Sequence, residues 1–339
     1  MNRTINILLT VAFILVGCKG PSSLEPDVLK SEDYPIAFEV SCDLSVETKA
    51  VINTPTSFVA LGGLTTADGN TYSVFGTNGT EVSPTNNAWT YSPIRYWQPG
   101  SYVFAGVVMP STLSCTASLA ENNHNQLTLD FGDGGFNLAE TQTDLLVAFD
   151  AVSVQSTASA GPVDLDFTHQ FAWIVIQGAS VDPNTKGIQI QSVKVYGNTK
   201  STAGNMVFTY GPTGFSSSYT LSSAKTNLND PYKTLYTPSE ENLPANGDWT
   251  LVKLGSNGLV YDTIVPELLV FPEQCTFSIA ITYLEDGISK TRVGSLSAVW
   301  EAGKKYTYSF NLATDISFSV NVSDWDTADV NKDTPIEIV

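Results

Sequence analysis

The sequence predicts an all-β protein built from β-sandwiches, and three observations carry that prediction. Apolar and polar residues alternate with a period of two over long stretches, the pattern of strands that turn one face to a core. Between those stretches stand dipeptides that supply the positive φ angles of tight turns: Asp68-Gly69, Asn78-Gly79, Asp133-Gly134, Asn246-Gly247, Asn257-Gly258 and Asp286-Gly287. Beyond the first residues, an apolar stripe with the 3.6-residue repeat of an amphipathic helix is hard to find. Composition agrees: 42% of the 339 residues are hydrophobic and only 15% charged, a balance that suits a folded, half-buried β protein.

The chain opens with Arg3 and a run from Ile7 to Val16, the charged and apolar parts of a secretory signal. A bilayer-spanning helix needs about 20 apolar residues, so this run is too short to be an anchor. The tetrad Leu15-Val16-Gly17-Cys18 resembles a bacterial lipobox, in which the cysteine thiol is acylated. Residues 1–17 are therefore expected to be a lipoprotein signal peptide. Cys18 would be the lipidated first residue of the mature chain, held by outer-membrane lipid. Residues 18–34, polar and interrupted by proline, read as a tether.

The first strand is expected from Ile36 to Val46, with Ile36, Phe38, Val40, Cys42, Leu44 and Val46 on one face. Alternation returns at Leu127, Leu129 and Phe131. Phe171–Ile176 is almost continuously apolar, as expected of a strand covered on both faces. The phase changes from Ile188 and Ile190 to Val193 and Val195, which predicts a β-bulge near Ser192. Three further runs follow: Phe277 to Tyr283, Tyr306 to Leu312, and Ile316 to Val322. The turn-rich stretch Gly178–Gly187 separates two strand-rich halves, giving expected domains at residues 35–182 and 183–339.

The formal charge of −18 makes nucleic acid and anionic headgroups poor partners. Beside Cys18, three cysteines remain: Cys42, Cys115 and Cys275. They permit at most one internal disulfide, which excludes a stapled scaffold. Cys42 lies in phase with the first strand and reads as a small buried hydrophobe.

Catalytic sets are scarce. The chain has two histidines. His169 precedes a buried strand and reads as a hydrogen-bonded structural imidazole, and His124 lies among asparagines in a loop. Zinc-site spacing and a nucleophile elbow are both missing. Asp130-Phe131-Gly132 reads as a strand entering a turn. Asp329-Val330-Asn331-Lys332-Asp333 opens like a calcium loop, but Thr334 stands where glycine is required. No catalytic residue, metal or cofactor is expected. Six tryptophans and fourteen tyrosines raise the alternative of a surface glycan-binding lipoprotein, although Trp89, Trp97, Trp173, Trp300 and Trp325 adjoin strand patterns where a core role is commoner.

Several local patterns, taken in order, resemble the fimbrillin family of Bacteroidetes, lipoprotein precursors of type V pili. They are Ile36–Val46 running into Glu47-Thr48-Lys49-Ala50, then Tyr96-Trp97-Gln98-Pro99-Gly100 before Tyr102-Val103-Phe104-Ala105, and Asp144–Ala148 followed by Phe167–Phe171. Leu269-Val270-Phe271-Pro272, Trp300–Tyr308 and Val320–Trp325 complete them. The resemblance implies two tandem transthyretin-like β-sandwich domains and a structural or adhesive fimbrial subunit assembled by strand exchange with other subunits. Host or bacterial surface ligands would be further partners. In similar shaft subunits a protease removes the lipidated N-terminus with the first strand, and a neighbour's strand fills the groove. The corresponding cut here would fall between Lys49 and Ala50. Val320, Val322, Ile336 and Ile338 are candidate donor-strand positions. Well-known members carry arginine at the cut, whereas no arginine lies between Cys18 and Arg95. Either a different protease cuts at Lys49, or the subunit keeps its lipid and first strand.

Overall fold

A computed structural model describes residues 34–42, 55–86, 88–109, 113–157, 160–179, 189–236, 262–285, 287–312 and 316–325. The strands are β1 (Phe38–Cys42), β2 (Phe58–Thr65), β3 (Thr71–Ser73), β4 (Thr80–Thr85), β5 (Ala88–Thr90), β6 (Gly100–Val108) and β7 (Thr116–Leu119). They continue as β8 (Gln126–Asp130), β9 (Phe136–Asn137), β10 (Leu146–Val154), β11 (Val163–His169), β12 (Ala172–Ala179), β13 (Gln189–Gly197) and β14 (Thr202–Gly211). The last are β15 (Gly214–Ser222), β16 (Lys233–Tyr236), β17 (Asp262–Val270), β18 (Gln274–Glu285), β19 (Ile288–Val299), β20 (Lys304–Leu312) and β21 (Ile316–Asp324). No α-helix occurs among the described residues, and the fold is all-β, as the alternation predicts.

Local chemistry sets the connections. Gly69 (φ 82°) turns β2 into β3 and Gly287 (φ 76°) turns β18 into β19, conformations that side chains other than hydrogen tolerate poorly. At Asp133-Gly134 the turn forms, but the positive angles fall on the flanking Gly132 and Gly135. The bulge expected near Ser192 is present as a register shift between Ile190 and Ser192 against β18, and it keeps Ile190, Val193 and Val195 all buried.

Four sheets result. An eight-stranded sheet has the order β1-β11-β10-β6-β2-β4-β5, with β3 added to β2. It curls until its outer strands β1 and β5 touch. Its concave face holds an aromatic core that includes Phe38, Phe58, Tyr91, Trp97, Phe104 and Phe167. The opposite face, with Leu61, Ala105, Val107 and Val147, packs on a five-stranded sheet ordered β15-β14-β8-β7, with β9 on β14. Strands from either side of residue 182 share that second sheet, since β14 pairs with β8 from Asn205↔Asp130 to Thr209↔Gln126.

The remaining sheets, β17-β12-β20-β21 and β16-β13-β18-β19, close on a third core. β12 lies between cores. Ala172, Ile174 and Ile176 enter the third core, whereas Phe171, Trp173 and Val175 enter the middle one, so both faces are covered as its apolar run predicts.

Candidate functional site

The chain from Tyr34 to Cys42 is an arm laid into the mouth of the curled sheet. Its first part pairs with the segment Arg95–Trp97: Ile36 N donates to Arg95 O at 2.8 Å and Trp97 N donates to Tyr34 O at 3.0 Å. The second part, β1, runs parallel to β11 from Phe38↔Val163 to Cys42↔Phe167 and, among the described strands, ends the sheet on that side. Alternation then decides which side chains matter. Ile36 and Phe38 are 2% and 6% exposed, while Val40 and Cys42 are half-buried against the same core.

Phe38 fills the central seat. Its ring lies 5.6 Å from Phe58, 5.7 Å from Tyr91, 6.0 Å from Phe75 and 6.3 Å from Phe104, measured between centroids. The contacts with Phe58, Tyr91 and Phe104 are edge-to-face, an arrangement that adds to the stabilisation from buried area. Burying Ile36 and Phe38 contributes roughly 1.5–3 kcal/mol each. Tyr91 Oη donates to Ile36 O at 2.9 Å, and burial pushes the Tyr91 hydroxyl up to about 12, so it stays a neutral donor at physiological pH. Ser41 Oγ donates to Asp166 Oδ1 at 3.0 Å on the solvent face. Taken out, the arm would free the main-chain edge of β11 and empty a seat walled by four rings.

Other expected positions divide into two groups. Cys18, Leu44, Val46, Lys49, Ala50, Ile336 and Ile338 lie outside the described residues, as do the signal peptide and residues 18–33 of the tether. Val320 and Val322 lie on β21, the outer strand of a different sheet, so the structure does not bring them to the arm. Val320 is partly buried against the third core and Val322 is 49% exposed. Beyond them Trp325 is buried, donating its indole N–H to Lys304 O at 2.7 Å.

Trp325 joins a cluster that no sequence pattern announces. Its ring lies 3.8 Å from that of His169 and 5.7 Å from that of Trp173. His169 Nδ1 is 2.7 Å from Asp144 Oδ2, with both side chains buried, which gives the structural imidazole expected from its position before β12. Trp97, Trp173, Trp300 and Trp325 are all buried in cores. Cys42, Cys115 and Cys275 form no disulfide with one another. Burial and the charge of Asp130 push the Cys115 thiol up to about 11, and burial, helped by Glu273, pushes Cys275 up to about 12, which leaves both unreactive near neutral pH. Among the described residues no group of three acidic, histidine or cysteine side chains could hold a metal ion.

The sequence profile of fimbrillin-like proteins matches residues 48–325. No functionally curated protein matches the chain. Solved structures similar to it include a candidate cell adhesion protein from Bacteroides ovatus, 13% identical with a TM-score of 0.48, covering 87% of this chain and 99% of that one. Another candidate cell adhesion protein, from Bacteroides uniformis, is 16% identical with a TM-score of 0.48 over 86% of this chain and 98% of its own. A fimbrial assembly protein from Parabacteroides distasonis is 9% identical with a TM-score of 0.37, over 86% and 98% respectively.

Proposed function

We propose that this chain, which belongs to the fimbrillin-like family, is a structural or adhesive subunit of a surface fimbria in which the first strand is a replaceable arm. The carrying observation is the arm's mode of attachment. Among the described strands β1 ends its sheet and pairs with β11, and the arm seats Ile36 and Phe38 in one aromatic core. A strand from another subunit with apolar residues at alternate positions would satisfy the same β11 edge and refill the same seat. Parallel ladders are slightly weaker per residue than antiparallel ones, so a strand entering in the opposite sense would form the stronger pair.

In this reading the chain is exported as a lipoprotein, acylated at Cys18 and delivered to the outer membrane. Cutting between Lys49 and Ala50 would then separate lipid and arm from the body. Residues 35–182 and 183–339 would form two tandem sandwiches, with the second lending the β14–β15 hairpin to the first. Limited digestion of the purified chain with a lysine-directed protease, followed by electron microscopy, tests the reading. Filaments are expected from the cut chain and none from a Lys49→Ala control. A cut chain that stays monomeric with its arm still bound would overturn strand exchange.

A further inference from the structure

The outer strands differ in how they are guarded. A strand that ends a sheet offers unpaired main-chain groups, and charge or proline along it keeps other chains from pairing there. Among the described residues, five strands of five or more residues end their sheets: β1, β15, β17, β19 and β21. β1 carries Glu39, β17 carries Asp262, Pro266 and Glu267, β19 carries Lys290 and Arg292, and β21 carries Asp324. β15 carries neither charge nor proline. The uncharged run extends from Ser201 to Ala224, between Lys200 and Lys225, in a chain whose formal charge is −18.

Alternation gives β15 two unlike faces. Phe215, Tyr219 and Leu221 pack on the middle core yet stay half-buried, with no described strand beyond them. Ser217, on the same face, is small and exposed. Ser216, Ser218 and Thr220 are exposed on the opposite face. The strand is held firmly from its inner side: its ladder to β14 is unbroken from Met206↔Tyr219 to Gly211↔Gly214, and Tyr219 Oη donates to Pro272 O at 3.3 Å.

We infer that β15 pairs antiparallel with β15 of a second copy of this chain, about a dyad at Ser218. The strand complements itself in that register. Phe215 lies opposite Leu221 of the second copy, and Ser217 lies opposite its Tyr219, so each half-buried apolar side chain meets another or fills the space beside a small one. On the other face Ser218 meets its own copy and Ser216 meets Thr220, pairs of hydroxyls that hydrogen-bond across strands. Two β15 strands bring no charge against charge, which is what two copies of a chain at −18 need in order to approach. A strand of this length spans about 30 Å and buries less than the roughly 1,200 Å² of a stable complex, so single chains associate weakly. The contact is separate from the arm and does not depend on strand exchange. On the fimbrial reading it would repeat along a filament and join filaments side by side.

Sedimentation of the full chain with its arm in place, at concentrations up to about 1 mM, tests the pairing independently of the fimbrial reading. A monomer–dimer equilibrium is expected. Ser218→Lys, which sets two ammonium groups face to face at the dyad, should weaken it about threefold or more at an unchanged melting temperature. Oxidative cross-linking reads the register, because a disulfide needs Cα atoms within about 7 Å. Ser218→Cys should give a linked dimer, Ser216→Cys alone should not, and Ser216→Cys mixed with Thr220→Cys should, each measured above the background of the parent chain. A chain that stays monomeric, a dimer indifferent to Ser218→Lys, or equal cross-linking from Ser216→Cys and Ser218→Cys would overturn the inference.

Discussion

The first and last described strands both lie at sheet edges, yet they are held by different means. β1 has five residues, a parallel ladder on one side, and two deeply buried side chains just before or within it. β21 has nine residues in an antiparallel ladder, from Lys304↔Asp324 to Leu312↔Ile316, with Val322 exposed. An ion pair between Lys304 and Asp324 and the buried Trp325 then fix its end. The pair lies at the surface, so it adds little. Attachment through a few plugs suits a strand that is to be exchanged, because a substitute needs only matching plugs. Attachment through a long ladder and a terminal lock suits one that stays.

The largest expected break in this contrast is Phe38→Ala. Removing a ring seated among four others costs about 3–5 kcal/mol. Guanidinium denaturation of the intact chain should show that loss, with faster proteolysis of the arm. A change below about 1 kcal/mol would mean that the arm is not held by its plugs.

Alkaline pH should come next, and it should act on the arm. The Tyr91 hydroxyl is raised from 10.0 to about 12 because burial disfavours the phenolate. A raised acid binds its proton more tightly when folded, so its contribution is intact below pH 10 and is lost as pH climbs through about 12. The share at stake is roughly 2–3 kcal/mol. Tyr102, also raised to about 12 by burial, acts in the same direction. Thermal melts between pH 9 and 12 should therefore be less steep in Tyr91→Phe than in the parent chain, because Tyr91 no longer contributes. Identical slopes would remove Tyr91 as the arm's pH-sensitive anchor.

A smaller effect is expected where β21 is locked. Trp325→Phe keeps an aromatic ring beside His169 but loses the indole donor to Lys304 O, for about 1–2 kcal/mol. Hydrogen exchange should then rise along β21 and stay unchanged along β1. A matching rise in β1 would show that the two edges are coupled and not independently held.

Much of this was legible in the sequence because alternation is a local signal. Ile36, Phe38, Val40 and Cys42 fall on the core side as their spacing predicts, and the phase change at Ser192 marks a real bulge. Long-range pairing carries no such signal. Nothing in Thr202–Gly211 says that β14 will join β8 on the other side of residue 182, since any half-buried edge offers the same hydrogen bonds. The Asp144, His169 and Trp325 cluster was hidden for the same reason: its members are distant in sequence and meet only through the fold. Reading His124 as loop caught its turn but not its burial, which depends on the bare backbone of Gly63 in another strand.

The smallest effect on stability carries the sharpest test of which edge is exchanged. Val322 is 49% exposed, and Val322→Ala should change unfolding free energy by no more than about 0.5 kcal/mol. If β21 stays on β20, filaments made after cleavage at Lys49 should form equally well from Val322→Asp, since a carboxylate there remains in water. If β21 leaves to serve a neighbour, Val322 becomes a plug in another subunit's core, where a carboxylate without a partner is strongly disfavoured. Val322→Asp would then melt like the parent chain and fail to polymerise. Normal filaments from Val322→Asp would remove Val322 from the donor positions and direct the search for the donor to the chain beyond Trp325.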